Sequence, residues 1–417
     1  MSDIPATLFI KSRSNITALK QPKEIGCYSR KSKSIISTSS SPTDSNSITA
    51  VKSKISVHYE ASYLINDHSY LNYYYLPDAD VDKRVIKLST GFTKFKNATP
   101  INDCSLAGLL KTIIELEKEK KKKGSSSNRY GNYDIITFRG IIKSLIMCFN
   151  NNPYNNPINL QICTFDNQIF IKNIDESHSN KETELTKENL FSQKILYSGY
   201  KFESCCTLPE PLPYVTREKL EKRYKKVASN DEQYISIVKT GISSFKLILA
   251  GEVDAVYDFY EDSPQNGDNL KHYLELKSST QIINQNQGRK FENKLFGAWL
   301  QCFLMGIPRI TYGYRDDEFN LIAVEEFQTV EIPELFKNQN SNLQAYFVDC
   351  IKWYGCVMEW LMANIDKSQD DNYYRLWYQD NHLKLVKIAS DSEEISKYKY
   401  NEIVSKEFRE WRKPRSE

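Results

Sequence analysis

The sequence predicts a mixed α/β (α+β) fold, a single large domain over residues 1–417 with a mostly antiparallel core sheet. Three observations carry this. At 417 residues and 40% apolar, the chain can bury a large core. Its apolar positions switch between a period of two and a period near 3.6, so strands and helices alternate, with no internal repeat. Between two strand-like runs, Asp262-Ser263-Pro264 through Gly267-Asp268-Asn269 is turn chemistry, which favours antiparallel pairing of those runs.

In chain order, a helix is expected over 106–123, and a second from Arg139 through Ile142 to Phe149. Strands are expected at 159–164 and 168–171. Lys201 and Glu203 alternate with Tyr200 and Phe202, which reads as an edge strand. A basic amphipathic helix follows at 217–227, then strands at 234–239, 246–259 and 272–278. A helix is expected over 289–305, strands at 309–314 and 321–329, a long apolar helix over 342–364, and a late hairpin of 374–378 with 383–388. Segments 32–56, 118–132 and 175–189 carry too little apolar surface to offset the entropy of ordering and read as loose surface. The second contains Lys120–Lys123, either a solvated loop tip or a nuclear import signal.

Composition narrows the function classes. A net charge of +3 gives no molecule-wide field for nucleic acid, so any such binding needs a local patch. The nine cysteines have no framework spacing and no C-x-x-C, and none of the five histidines lies near a cysteine pair. This reads as reduced thiols in a reducing compartment and argues against a zinc site. The N-terminus lacks a basic segment followed by an apolar one, so no signal peptide is expected. The longest apolar run, 295–307, is too short to span a bilayer, and a soluble intracellular protein is expected.

The chemistry concentrates in two runs. Glu252 and Asp254 sit two residues apart in Gly251-Glu252-Val253-Asp254, and Glu275 and Lys277 two apart in Glu275-Leu276-Lys277. In strands, residues at i and i+2 share a face, so two adjacent strands would aim all four side chains into one volume. Exposed strand faces carry such residues routinely. Here the flanking 247–250 and Tyr273-Leu274 are apolar, which points to central strands, where unpaired carboxylates are costly. Clustered carboxylates are neutralised by hard cations such as Mg²⁺ or Mn²⁺, and a neighbouring lysine can steady developing negative charge. On the 289–305 helix, Lys290, Lys294, Gly297 and Gln301 form one line opposite a wide apolar face. That line is either an ordinary solvated face or a surface for a polyanionic backbone.

The acid-x(n)-Glu-x-Lys pattern resembles a PD-(D/E)XK nuclease-like active-site core. Taken with Gly199–Glu203, Phe138-Arg139-Gly140, and Trp299-Leu300-Gln301 followed by Gly306-Ile307-Pro308-Arg309, the motifs resemble the DXO-type RNA 5′-end processing family. The stretches 21–30 and 71–78 are similar to its fungal nuclear branch, which includes the partner protein of the nuclear 5′→3′ exoribonuclease. The resemblance implies a metal-dependent RNA 5′-end hydrolase that removes pyrophosphate from 5′-triphosphate RNA or releases incomplete caps, nucleotide-cofactor caps or 5′-hydroxyl dinucleotides, leaving a 5′-monophosphate. It implies two divalent ions, Mg²⁺ or Mn²⁺, held by Glu203, Glu252, Asp254, Glu275 and the Leu276 carbonyl. Lys277 would orient the attacking water or stabilise the pentavalent phosphorus, and Arg139 and Gln301 would grip substrate phosphates; the helical line read above adds Lys290 and Lys294 as further substrate contacts. The expected partners are RNA 5′ ends and the exoribonuclease, in the nucleus, with no membrane and no DNA. The rigid apolar segment holding Leu212, Pro213 and Tyr214 is the expected docking point, or else a loop capping the core. Two other readings remain open: a mainly non-catalytic stabilising partner with a vestigial pocket, and a DNA-directed nuclease.

Overall fold

The fold is mixed α/β with mostly antiparallel pairing, as expected, and its strands form two sheets. The computed structural model describes residues 4–39, 54–99, 104–124, 129–150, 158–174, 187–262, 269–338, 343–390, 392–400 and 402–413. The larger sheet has ten strands, in the order Ala6–Phe9, His382–Lys387, Tyr373–Gln379, Asn159–Phe165, Gln168–Asn173, Ile135–Phe138, Phe245–Glu252, Glu232–Ile242, Leu19–Ser39 and Lys54–Ile65. Its neighbours are antiparallel except at Ile135–Phe138, which runs parallel to both flanking strands. The smaller has seven, in the order Ile86–Lys87, Asn320–Gln328, Arg309–Arg315, Tyr273–Thr280, Ala255–Val256, Tyr73–Tyr74 and Thr207–Leu208.

Strand alternation sorts side chains between layers. In Phe245–Glu252, Leu247 and Leu249 enter the largest core cluster, while Ile248 and Ala250 enter a second one beneath the Ala107–Lys122 helix. Because both faces are covered, the strand reads as a continuous apolar run. The largest cluster joins the two sheets, since it also holds Tyr273, Ile310 and Tyr312 of the smaller one. Three helices fill it: Arg139–Met147, Gln285–Met305 and Gln344–Asn364. Trp353 in the last donates its indole N–H to the Leu145 carbonyl at 2.9 Å, tying two of them together.

Most expected elements are present within a few residues, and five expectations need correction. First, Gly199–Glu203 is no edge strand but the last part of the Lys187–Cys206 helix. Its buried face, Tyr197, Lys201, Phe202 and Cys205, has helical spacing. Lys201 broke the apolar pattern, because it is buried with its ammonium on the Lys226 carbonyl. Second, the run 246–259 is two strands. Phe245–Glu252 belongs to the larger sheet and Ala255–Val256 to the smaller, so the chain changes sheets at Val253-Asp254. Third, antiparallel pairing of the acidic runs is confined to Ala255 with Leu274 and Val256 with Tyr273. Tyr273–Thr280 instead pairs in parallel with Arg309–Arg315 from Leu274 to Thr280. Fourth, the basic helix stops at Lys222. Fifth, the loose segments are partly regular. Residues 32–39 pair with Lys54–Ile65, 118–122 lie in the Ala107–Lys122 helix, and 187–189 begin the Lys187–Cys206 helix. Backbone pairing in a hairpin satisfies polar residues without an apolar face. Residues 40–53, 125–128 and 175–186 of those segments, and the turn at 263–268, lie outside the described residues. Among the described residues, no helix is long and apolar enough to cross a membrane.

Candidate active site

The sheet change at Val253-Asp254 builds the site. Glu252 ends a strand of the larger sheet, opposite Ile235, and Asp254 lies in the step between the sheets. Asp254 is anchored to the smaller sheet, where its Oδ2 accepts the Leu276 N–H at 2.6 Å. That bond brings Glu252 and Asp254 against Glu275 and Lys277 of the Tyr273–Thr280 strand. Glu203 arrives separately, from the last turn of its helix.

Electrostatics show how closely these groups meet. Glu203, Glu252 and Asp254 face a cavity of about 990 Å³ and keep some exposure to it, yet protein encloses them on the scale of charge hydration. Burial, then the charge of Asp254, raises the Glu203 carboxyl well above the usual range, with Glu252 and Glu275 adding to the rise. Burial and the charge of Glu275 raise Glu252, against the pull of Arg30, Lys277 and Arg139. Burial, with Glu275 and Glu252, pushes Asp254 up to about 8. Lys277 is raised as well, which for an ammonium favours the charged form. Burial alone would lower it, but Glu275, Asp254 and Glu203 outweigh that and hold it protonated. Its ammonium donates to Glu275 Oε1 and, at 3.1 Å, to the Leu276 carbonyl, and lies 3.9 Å from Asp254 Oδ2.

Glu275 is 1% exposed and asymmetrically bonded. Lys277 and the Gln301 amide N–H both donate to Oε1, whereas Oε2 is buried without a hydrogen-bond partner. An orphaned buried carboxylate oxygen is costly unless a cation takes it. The donors here are all oxygens, the preference of Mg²⁺, Mn²⁺ or Ca²⁺. Among the described residues no three carboxylate, imidazole or thiol groups are yet gathered tightly enough to chelate an ion by themselves. Lys277 bridges them, and the residues that fit a metal are Glu203, Glu252, Asp254, Glu275 and the Leu276 carbonyl.

The other expected contacts divide. Arg139, at the start of its helix, is buried with Nε unbonded. It reaches the site because Gly251 leaves room: a Cβ there would stand 3.2 Å from Arg139 Nε and 2.8 Å from Met305 Sδ. Gln301 touches Glu275 directly. Lys290 and Lys294 sit on the same helix but away from the acids, and Lys294 donates to Ser279 Oγ at 3.2 Å. Leu212, Pro213 and Tyr214 form a 3-10 turn in which Leu212 is 42% and Tyr214 75% exposed, so the segment does not cap the core.

A family model described as RAI1-like PD-(D/E)XK nuclease matches residues 20–409. The chain belongs to that family. It is 45% identical to a decapping nuclease RAI1 of Kluyveromyces lactis, over 98% of each chain. It is also similar to the crystal structure of Candida albicans Rai1 in complex with pU5-Mn²⁺, at 36% identity and a TM-score of 0.79, over 98% of this chain and 99% of the other. Scheffersomyces stipitis Rai1, solved in complex with (3′-NADP)⁺ and calcium ion, gives 35% and 0.78, with the same coverage. Membership bears out the resemblance read from the motifs and makes the chain a hydrolase of the nuclease class.

Within this RAI1-like site, sequence reasoning missed Lys143. It lies four residues after Arg139 on the same helix and donates to Gln301 Oε1 at 2.9 Å. Burial, then Arg139 and Lys277, lowers it to about 8. The i, i+4 spacing from Arg139 was the available signal. The rest of the cavity lining was also unforeseen: it includes Lys219, Lys222, Lys225 and Lys226, together with Tyr70, Tyr200 and Tyr234.

Proposed function

We propose that this chain is a divalent-metal-dependent hydrolase of RNA 5′ ends. It removes pyrophosphate from 5′-triphosphate RNA, or incomplete caps, nucleotide-cofactor caps or 5′-hydroxyl dinucleotides, and leaves 5′-monophosphate RNA. The observation that carries this reading is the set Glu203, Glu252, Asp254 and buried Glu275 around Lys277, the first three lining a cavity that several lysines also line. Relatives solved with pU5-Mn²⁺ and with (3′-NADP)⁺ and calcium support both the metal and the phosphorylated ligand.

The chain's own groups have definite tasks. The four carboxylates and the Leu276 carbonyl would hold up to two divalent ions. Bound there, a metal supplies a water deprotonated near neutral pH and neutralises phosphate charge. Lys277 is a donor held charged by its neighbours, which suits stabilising the charge that develops on phosphorus better than removing a proton. Arg139, buried with a free Nε–H, is placed to bind a phosphate oxygen. The lining lysines and tyrosines suit a single strand, whose backbone and bases they would meet separately.

A second role belongs to this proposal. A 5′-monophosphate is the end a 5′→3′ exoribonuclease requires, and the exposed turn Leu212-Pro213-Tyr214 is the surface we assign to docking a nuclear enzyme of that kind. Replacing Leu212 and Tyr214 with charged residues should abolish co-purification and leave folding intact; unchanged binding would remove this assignment.

The decisive experiment uses RNAs that differ only at the 5′ end: triphosphate, unmethylated cap, methylated cap, hydroxyl or monophosphate, with Mg²⁺ or Mn²⁺. Release of pyrophosphate or an intact cap dinucleotide, absent in Glu252→Ala/Asp254→Ala, is the expected result. No release from any RNA by folded protein would leave only the partner role, and cleavage of duplex DNA but not RNA would redirect the reading to DNA.

A further inference from the structure

One half-buried cation makes a contact that the chemistry above does not use. Lys143 donates to Gln301 Oε1 at 2.9 Å, and Gln301 Nε2 donates in turn to Glu275 Oε1. Chemistry fixes the direction of this chain. An ammonium only donates and an ionised carboxylate only accepts, so the amide between them must turn its oxygen to Lys143 and its nitrogen to Glu275. Without Lys143 the amide could rotate by half a turn and set oxygen against oxygen. Lys277 donates to the same Oε1. Both donors therefore converge on one carboxylate oxygen, and Oε2 stays buried and bare.

We propose that Lys143 is a positioning residue which, acting through Gln301, fixes the rotation of the Glu275 carboxylate so that Oε2 is presented to the metal. The two helices that supply the relay, Arg139–Met147 and Gln285–Met305, pack within the same core cluster, so the relay is supported by buried apolar contacts rather than by loops. This inference rests on the proposed function for its place in the reaction. It does not need turnover to be tested, because it makes a claim about metal binding.

The test is a double-mutant cycle of Lys143→Met and Gln301→Ala. It is read by calorimetric Mn²⁺ binding to the full chain and by kcat and KM on 5′-triphosphate RNA. Outer partners of metal ligands typically matter by about 10–100-fold in affinity or activity. Lys143→Met should weaken Mn²⁺ binding by about tenfold and lower kcat with KM little changed. It should add nothing in a Gln301→Ala background, because both substitutions cut one relay. Lys143→Arg still donates to the amide oxygen and should restore most of the loss. Unchanged Mn²⁺ affinity in Lys143→Met overturns the proposal. So do fully additive losses or a rise in KM alone, since each would mean that Lys143 meets the substrate phosphate directly. Urea unfolding verifies that each variant is native, and Lys143→Gln replaces the methionine variant if that one is not. A wild type that binds Mn²⁺ but turns over no RNA would defeat the proposed function and leave the cycle readable in Mn²⁺ affinity.

Discussion

Each acid of the site is a liability to the fold until a cation meets it. Burial and mutual repulsion raise Glu203, Glu252 and Asp254 together, and Lys277 offsets this only in part. Sites of this kind trade stability for function. Glu252→Ala/Asp254→Ala should therefore raise the stability of metal-free protein by about 0.5–2 kcal/mol, read by urea unfolding in chelator. The same variant should lose about 10³-fold or more in turnover, since several kcal/mol of charge stabilisation go with the metal. A drop in stability would mean that the two acids hold the sheets together more than they repel, with the Asp254 bond to Leu276 as the obvious cause.

Elements matter here through how closely they approach. The Lys187–Cys206 helix carries Glu203 and packs on the smaller sheet, where Phe202 lies over Gly313 of the Arg309–Arg315 strand. A Cβ at Gly313 would overlap the Phe202 ring. Gly313→Ala must therefore lift the helix or turn the ring, an overpacking that costs about 1–3 kcal/mol. Because Glu203 is the next residue after Phe202, turnover should fall along with stability, and Phe202→Leu in the Gly313→Ala background should recover both by making room. Denaturation midpoints and kcat of the single and double variants check this. Full activity in a destabilised Gly313→Ala protein would show that the helix position does not set the geometry of Glu203.

At the scale of the whole molecule, charge is nearly balanced at +3, yet it is not evenly spread. Lys219, Lys222, Lys225 and Lys226 line the same cavity as Glu203, Glu252 and Asp254. Lys219 and Lys222 are partnered by Glu210 and Glu218. Lys225 and Lys226 are exposed beside them and are the better candidates for phosphate contacts. Lys225→Glu/Lys226→Glu should raise KM several-fold with little change in kcat. It should also flatten the log–log salt dependence of RNA binding by roughly 0.7 for each phosphate contact removed. Fluorescence titrations at several salt concentrations test this, and an unchanged slope would take these lysines off the RNA path.

Many of the elements and three of the four acids were legible in the sequence alone, whereas the strands Leu19–Ser39 and Lys54–Ile65 were not. Period-two and period-3.6 patterns are local, so the helices at Ala107–Lys122 and Gln285–Met305 and the late hairpin were legible within a few residues. Glu252, Asp254, Glu275 and Lys277 were legible because acids inside apolar runs are expensive and so conspicuous. The motif resemblance added Glu203 and Arg139, which local physics could not single out, and Glu203 was read on the wrong kind of element because a buried lysine interrupted its helical stripe. Only the tertiary structure decided how the acids meet. The chain leaves one sheet after Glu252 and enters the other at Ala255, and no local pattern encodes a sheet change, since both strands are apolar. The Lys143–Gln301–Glu275 relay was equally out of reach, for it joins residues 158 and 26 positions apart through side chains that only packing brings within hydrogen-bond distance.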